Sequence, residues 1–209
     1  MLEKQNKNSR HSLKINAFAM TTYVINFNPI TSITDEHFEQ LCQVNPDVQF
    51  ERNALGELVI MAPTGGDTGS YNSELNADFV IWNRQTKLGV VFDSSTCFRL
   101  PSGALRSPDV AWIQKERWQA LTLDQQRKFP PIAPDFVLEL MSPSDSFEDI
   151  RLKMREYSEN GVKLGWLIDR AAQKVEIYRL NGSVEILDAP YQLSGEEVLP
   201  GFFLNLSGL

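Results

Sequence analysis

The sequence predicts an α/β (α+β) fold, a single domain with a mixed central β-sheet flanked by helices. Three observations carry this prediction. The run DFVLELM (135–141) is almost continuously apolar, the pattern of a strand buried on both faces of a sheet. A helical pattern over SFEDIRLKMREYSENG separates it from a second apolar strand, KLGWLID, and strand–helix–strand is the crossover that joins parallel neighbours. Other strand runs follow one another across turns alone, as antiparallel meanders do. At 209 residues one core suffices, since single cores serve up to roughly 250 residues.

In chain order, residues 1–19 are polar and aperiodic and are expected to form a disordered leader, with 20–209 as the domain; Met20 is a second candidate start. TTYVINF reads as a short strand. TDEHFEQLCQVN reads as a helix, with Thr34 as candidate N-cap and Phe38, Leu41 and Val44 along one face. VQFERNALGELVIMAP is a hairpin pattern turning at Leu55-Gly56. TGGDTGSYN is expected to be a glycine-rich loop; it lacks the GK[ST] ending of a phosphate-binding P-loop. It leads into a helix over SELNADFVIWNRQTKLG, carrying Leu75, Phe79, Ile81 and Trp82.

VVFDSS, TCFRLP and RSPDVAWI then read as strands, and KERWQALTLDQQRKF as a helix followed by a proline-punctuated loop. After the crossover, KVEIYRL and SVEILD form a hairpin through Asn181-Gly182. LPGFFLNL closes the core or serves a dimer interface.

Composition excludes several chemistries. The two histidines, His11 and His37, sit in the leader and on an ordinary amphipathic helix, so a histidine-based zinc site or a Ser-His-Asp triad has no setting. Cys42 and Cys97 lie far apart in apolar surroundings and read as reduced thiols. MLEKQNKNSRHSLKINAFAM lacks the apolar stretch of a secretory signal, and no apolar run nears the roughly 20 residues of a membrane span, so a soluble cytoplasmic protein is expected. The net charge is −7, and the leader holds four basic residues against Glu3, or +3, which leaves −7 − 3 = −10 on the rest. That balance opposes tight non-specific binding to nucleic acid, unless a local basic patch compensates.

Against this background three residues stand out: Asp109 in SPDVAWI, Glu139 in DFVLELM and Lys153 in DIRLKMREY. A carboxylate inside an apolar strand is costly unless something pairs with it. A divalent cation shared by two such acids relieves both, and two acids with a lysine form a set suited to metal-assisted phosphodiester hydrolysis. Lys153 lies four residues before Tyr157, on the same helix face. The competing reading is a structural ion pair of Glu139 with Arg151 or Lys153. Glu74 is a candidate third acid. Asp135 reads as a turn residue, and Ser144 or Asp145 as the N-cap of the helix carrying Lys153.

Taken together, SPDVAWI, PDFVLELMSPSD and the K-x-x-x-Y, N-G-V and W-L-I-D series are similar to the Uma-type restriction endonuclease family, within the PD-(D/E)xK nuclease superfamily. The resemblance spans roughly Thr31 to Leu204. It implies a restriction-endonuclease-like core of helix, three strands, helix and strand. It also implies an acid after proline, matched by Asp109, an acid on the next core strand, matched by Glu139, and a lysine two places on. Met141 occupies that last position, so the resemblance suggests a migrated lysine, Lys153, reaching in from the following helix. The implied function is a DNA endonuclease dependent on Mg²⁺ or Mn²⁺. Asp109, Glu139 and the Leu140 carbonyl would be its ligands, Lys153 the catalytic cation, and Glu74 and Tyr157 supporting residues. DNA and a second copy of the chain are the expected partners. The alternative is an inactive nuclease-fold binding protein.

Overall fold

The computed structural model describes residues 22–28 and 30–207, and the expected leader lies outside them. Its elements are β1 (Tyr23–Ile25), α1 (Asp35–Val44), β2 (Phe50–Arg52), β3 (Leu58–Ile60), α2 (Gly66–Thr86), β4 (Gly89–Asp93), β5 (Phe98–Arg99), β6 (Leu105–Arg106) and β7 (Val110–Gln114). There follow α3 (Lys115–Gln119), α4 (Leu123–Arg127), β8 (Phe136–Leu140), α5 (Phe147–Glu159), β9 (Leu164–Asp169), β10 (Lys174–Arg179), β11 (Val184–Asp188), β12 (Gln192–Ser194) and β13 (Phe203–Asn205).

Six strands build the mixed central sheet in the order β11-β10-β9-β8-β7-β4. Within it β8 and β9 run parallel, joined by α5, and the other pairings are antiparallel. A five-stranded sheet, β1-β3-β2-β6-β5, lies beside it, and β12 pairs with β13. Alternation along the strands divides the core in two. On one face Val110, Trp112, Phe136, Leu138 and Trp166 meet Leu75, Phe79 and Trp82 of α2 and Phe202 and Leu204 near the C-terminus. On the other, Ala111, Ile113, Val137 and Leu167 meet Met154 and Tyr157 of α5. LPGFFLNL therefore closes the core through Leu199, Phe202 and Leu204. No helix among the described residues is long and apolar enough to cross a membrane.

Three local expectations are corrected. The glycine-rich segment is not a loop: α2 begins at Gly66, capped by Gly65 in an extended conformation. Asp67 favours the helix start through the macrodipole and is tied to Arg170 at 2.8 Å, while Thr68 is buried. RSPDVAWI divides into β6 and β7 around Pro108. The long helix over 115–129 divides into α3 and α4, because Thr122 opens a new helix with a capping box. Its hydroxyl accepts from the Gln125 amide at 3.3 Å, and the Gln125 side chain accepts from the Thr122 amide at 2.9 Å.

The antiparallel edge of the central sheet gives a sharp stability test. A Cβ at Gly89 would lie 2.3 Å from the Ile113 carbonyl oxygen and 2.3 Å from Trp112 Cε2, and the indole is held by its bond to Asn83 at 3.0 Å. Gly89→Ala should destabilise the fold by about 1–3 kcal/mol or more through overpacking. At Gly66 an added Cβ meets nothing within 4 Å, and Gly66→Ala should be neutral or stabilising by up to about 1 kcal/mol. Denaturant unfolding of the two variants checks the contrast.

Candidate active site

The site forms where β7 begins and β8 ends. Pairing of the two strands sets Val110 opposite Leu138, and continuing the register brings Pro108 opposite Leu140. Proline has no N–H, so it can offer the Leu140 carbonyl no ladder bond. The Leu140 N–H instead donates to Asp109 Oδ2 at 2.8 Å. The dipeptide Pro-Asp thus ends the ladder, frees a carbonyl and fixes a carboxylate beside it.

Helix α2 holds the other side of Asp109. Asn72 and Asn76, one turn apart, donate to its Oδ1 and to its backbone carbonyl, both at 3.0 Å. Burial raises the Asp109 carboxyl above its ordinary range, although the Leu140 amide, Lys153 and Asn72 pull it back.

Glu139 and Lys153 meet on the α5 face of β8. The ammonium lies 2.8 Å from Glu139 Oε1 and 2.9 Å from Glu51 Oε1. Tyr157 donates its hydroxyl to Glu139 Oε1 at 2.9 Å. Glu51 comes from β2 of the second sheet. It also accepts from the Ser107 amide at 2.8 Å and from Arg106 at 2.9 Å. Arg106 in turn pairs with Glu156 of α5, whose other oxygen accepts from the Ala54 amide at 2.7 Å. Glu51, Glu139 and Lys153 are only 1%, 5% and 4% exposed, so these contacts carry the charges in place of water.

The acids divide their roles. Burial alone would raise Glu51, yet Lys153 and Arg106 hold it below the usual carboxylate range. Lys153 stays charged: burial opposes this, but Glu139 and Glu51 outweigh it and push the ammonium upward. With Lys153 balanced by Glu51, Glu139 is the acid whose ionisation is costly. Burial, joined by the charges of Asp109 and Glu51, pushes its carboxyl up to about 8 despite Lys153.

Asp109, Glu139, Leu140, Lys153, Asn72 and Asp145 line a common cavity of about 130 Å³. Around it four carboxylates (Glu51, Asp109, Glu139, Glu156) face two cations (Arg106, Lys153). With every carboxyl ionised two negative charges would be left over, and Asp145 would add to them. Glu139, pushed up to about 8, is the group that relieves the excess by keeping its proton.

The arrangement brings together Asp109, Glu139, the Leu140 backbone, Lys153 and Tyr157. Glu74 does not join them. It is exposed on α2, two residues from both Asn72 and Asn76 and so on another face of the helix. The cap of α5 is Ser146, which accepts from the Asp149 amide at 3.4 Å, rather than Ser144 or Asp145, which line the cavity. Asp135 is no turn residue but a buried anchor. It accepts from the Gln114 amide at 2.8 Å and pairs with Arg117 and Lys163 at 2.9 and 2.8 Å. Arg151 pairs with Glu176, not Glu139. Met141 packs against the core on the α5 side, the face that carries Glu139, and α5 delivers Lys153 to that face. His37 is exposed, and Cys42 and Cys97 are free thiols.

Three participants were missed from sequence: Glu51, Arg106 and Asn72. The available sign for Glu51 was an acid between Phe50 and Arg52 in a strand run, and all three residues are buried.

The Glu139 carboxyl sets a pH dependence. Its ordinary value of 4.5 is raised to about 8 in the fold, so between those values the native chain holds a proton that the unfolded chain has released. Its contribution to stability is full below about pH 4.5 and is lost as pH rises through about 8. Glu51, shifted downward, acts oppositely, losing its contribution as pH falls through its lowered value. Melting temperature should therefore fall from pH 5 to 8.5 more steeply in the wild type than in Glu139→Gln. Parallel curves would mean that Glu139 is ionised throughout.

A crystal structure of "a putative nuclease belonging to DUF820" from Anabaena variabilis is similar to this fold. Its TM-score is 0.64 at 20% sequence identity, over 76% of this chain and 87% of that one. No curated protein matches the chain. The family model Uma2, described as "Putative restriction endonuclease", matches residues 35–207. That span takes in the central sheet, the second sheet apart from β1, α1 to α5 and every residue of the cavity except Thr22, and the chain belongs to the Uma2 family.

Proposed function

We propose that this protein is a metal-dependent nuclease that hydrolyses DNA phosphodiester bonds, with Mg²⁺ or Mn²⁺ as its cation. The observation that carries the reading is the convergence of Asp109, Glu139 and Lys153 on one cavity, where the carboxyl groups outnumber the cations. The donor set fits a hard divalent cation: two carboxylates and a strand carbonyl without a ladder partner, all oxygen. Asp109, Glu139 and the Leu140 carbonyl would hold it. When bound, such a cation lowers the pKa of a coordinated water and polarises a phosphoryl oxygen.

The chain's own residues supply the rest. Lys153 presents a fixed positive charge beside the cavity, suited to the charge that builds on the phosphoryl oxygens during attack. Glu51 and Tyr157 keep it and Glu139 in register, so little reorganisation is needed at the moment of reaction. Asp109, held by the Leu140 and Asn72 amides, is positioned before any ligand arrives. The family and fold resemblance support a nuclease.

One observation favours a second reading, an inactive nuclease-fold binding protein. The charge of −10 beyond the leader opposes approach of a polyanion. Met141 gives that reading less support, since Lys153 reaches the same face.

Two measurements test the proposal. Supercoiled DNA incubated with protein and Mg²⁺ or Mn²⁺ at low salt should be nicked. Glu139→Gln should lose about 100-fold or more in rate together with Mn²⁺ binding, while Lys153→Met, compared at matched folded fraction, should lose rate and retain Mn²⁺ binding. Saturable Mn²⁺ binding without cleavage would favour the inactive reading. In calorimetry, Mn²⁺ affinity should rise from pH 6 to about 8 with proton release from Glu139; affinity independent of pH would remove Glu139 from the ligand set.

A further inference from the structure

The remaining feature of the cavity is Asn72. Its Nδ2 donates to Asp109 Oδ1 at 3.0 Å, and because a carboxylate only accepts, this bond fixes which end of the amide carries oxygen. Asn72 Oδ1 is left buried with no hydrogen-bond partner, on a residue that lines the cavity with Asp109 and Glu139. Buried acceptors are nearly always satisfied in folded proteins, and an exception points to a missing partner. Water is a poor candidate, since the oxygen is closed to a water-sized sphere and a hydrogen-bonded water needs about 2.7–3.0 Å. A bare divalent cation sits closer, at about 2.0–2.1 Å from oxygen for Mg²⁺.

Resting on the metal-dependent reading above, we infer that Asn72 is a direct ligand of the cation, supplying a neutral oxygen from α2 beside Asp109. The charge count explains an amide at this position. An amide adds an oxygen ligand without adding another charge to a cavity that Asp109, Glu139 and Asp145 already line. The amide also does two jobs at once: its nitrogen holds Asp109 while its oxygen takes the ion. Helix α2 thus contributes to the cation site through Asn72, whereas Glu74 faces solvent.

The test is Mn²⁺ titration by calorimetry, with water-proton relaxation to count the waters on bound Mn²⁺, for wild type, Asn72→Leu and Asn72→Asp. Asn72→Leu removes both functions; affinity should fall at least tenfold and the bound ion should carry one more water. Asn72→Asp restores a hard oxygen at the same reach, and should bind at least as tightly as wild type with the wild-type water count. If Asn72 only braces Asp109, Asn72→Leu will weaken binding without changing the water count, and the inference is overturned. Should Asn72→Leu fail to fold, Asn72→Ala gives the same comparison of water counts. Absence of Mn²⁺ binding in wild type at every pH would overturn the metal-dependent reading and this inference with it. That failure is distinguishable, because it does not depend on residue 72.

Discussion

A single ammonium group, Lys153 Nζ, held between Glu51 and Glu139, is the contact on which the architecture turns. It joins α5, the central sheet and the second sheet within 3 Å of one atom. Taking three charges out of water is expensive, and their mutual attraction repays this only when geometry and additional hydrogen bonds are good. Here the additional bonds are present: Tyr157 to Glu139, and Ser107 and Arg106 to Glu51. The neighbouring Arg106–Glu156 pair extends the same network back to α5. An apolar cluster could pack these elements together, but it would not fix which side chain faces the cavity. The charges do.

The electrostatic division follows from topology. Glu51 stands between two cations and ionises readily, whereas Glu139 shares one cation with Glu51 and has Asp109 nearby. Two carboxylates of the same chemistry are thereby set on opposite sides of the ordinary range. Asp109 differs again, since it relies on amide donors from Leu140 and Asn72 and on a more distant Lys153. A protein surface could not sustain such differences, because water would level them.

Much of this was legible in the sequence, and for a common reason. Glu139 interrupts DFVLELM, so a burial pattern exposes it as an anomaly. Lys153 could be placed on the Tyr157 face by helical spacing alone, and Pro108 marks where Asp109 enters its strand. Glu51 was not legible, because β2 is three residues long and no periodicity can be read from it. Asn72 was hidden by polarity: an amide after TGGDTG resembles loop chemistry, and only the helical start at Gly66 sets it one turn from Asn76. Arg106 opens the run RSPDVAWI, where nothing in the sequence marks the base as buried. The splitting of the 115–129 helix was legible but overlooked, since Thr122 followed three places on by Gln125 is the signature of a capping box.

The partnership of Glu51 with Lys153 also has a kinetic side. The two residues are separated by 102 positions, the same distance that divides Ala54 from its bond to Glu156. Contacts so far apart along a chain close late, since most of the intervening loop must be ordered before they form. During synthesis β2 emerges long before α5, and its buried acid must wait for a counterion supplied from beyond the midpoint of the chain. The lysine clamp is therefore a record of completed docking: a chain with the second sheet out of place leaves Glu51 without Lys153, and the full centre assembles only when both sheets have met.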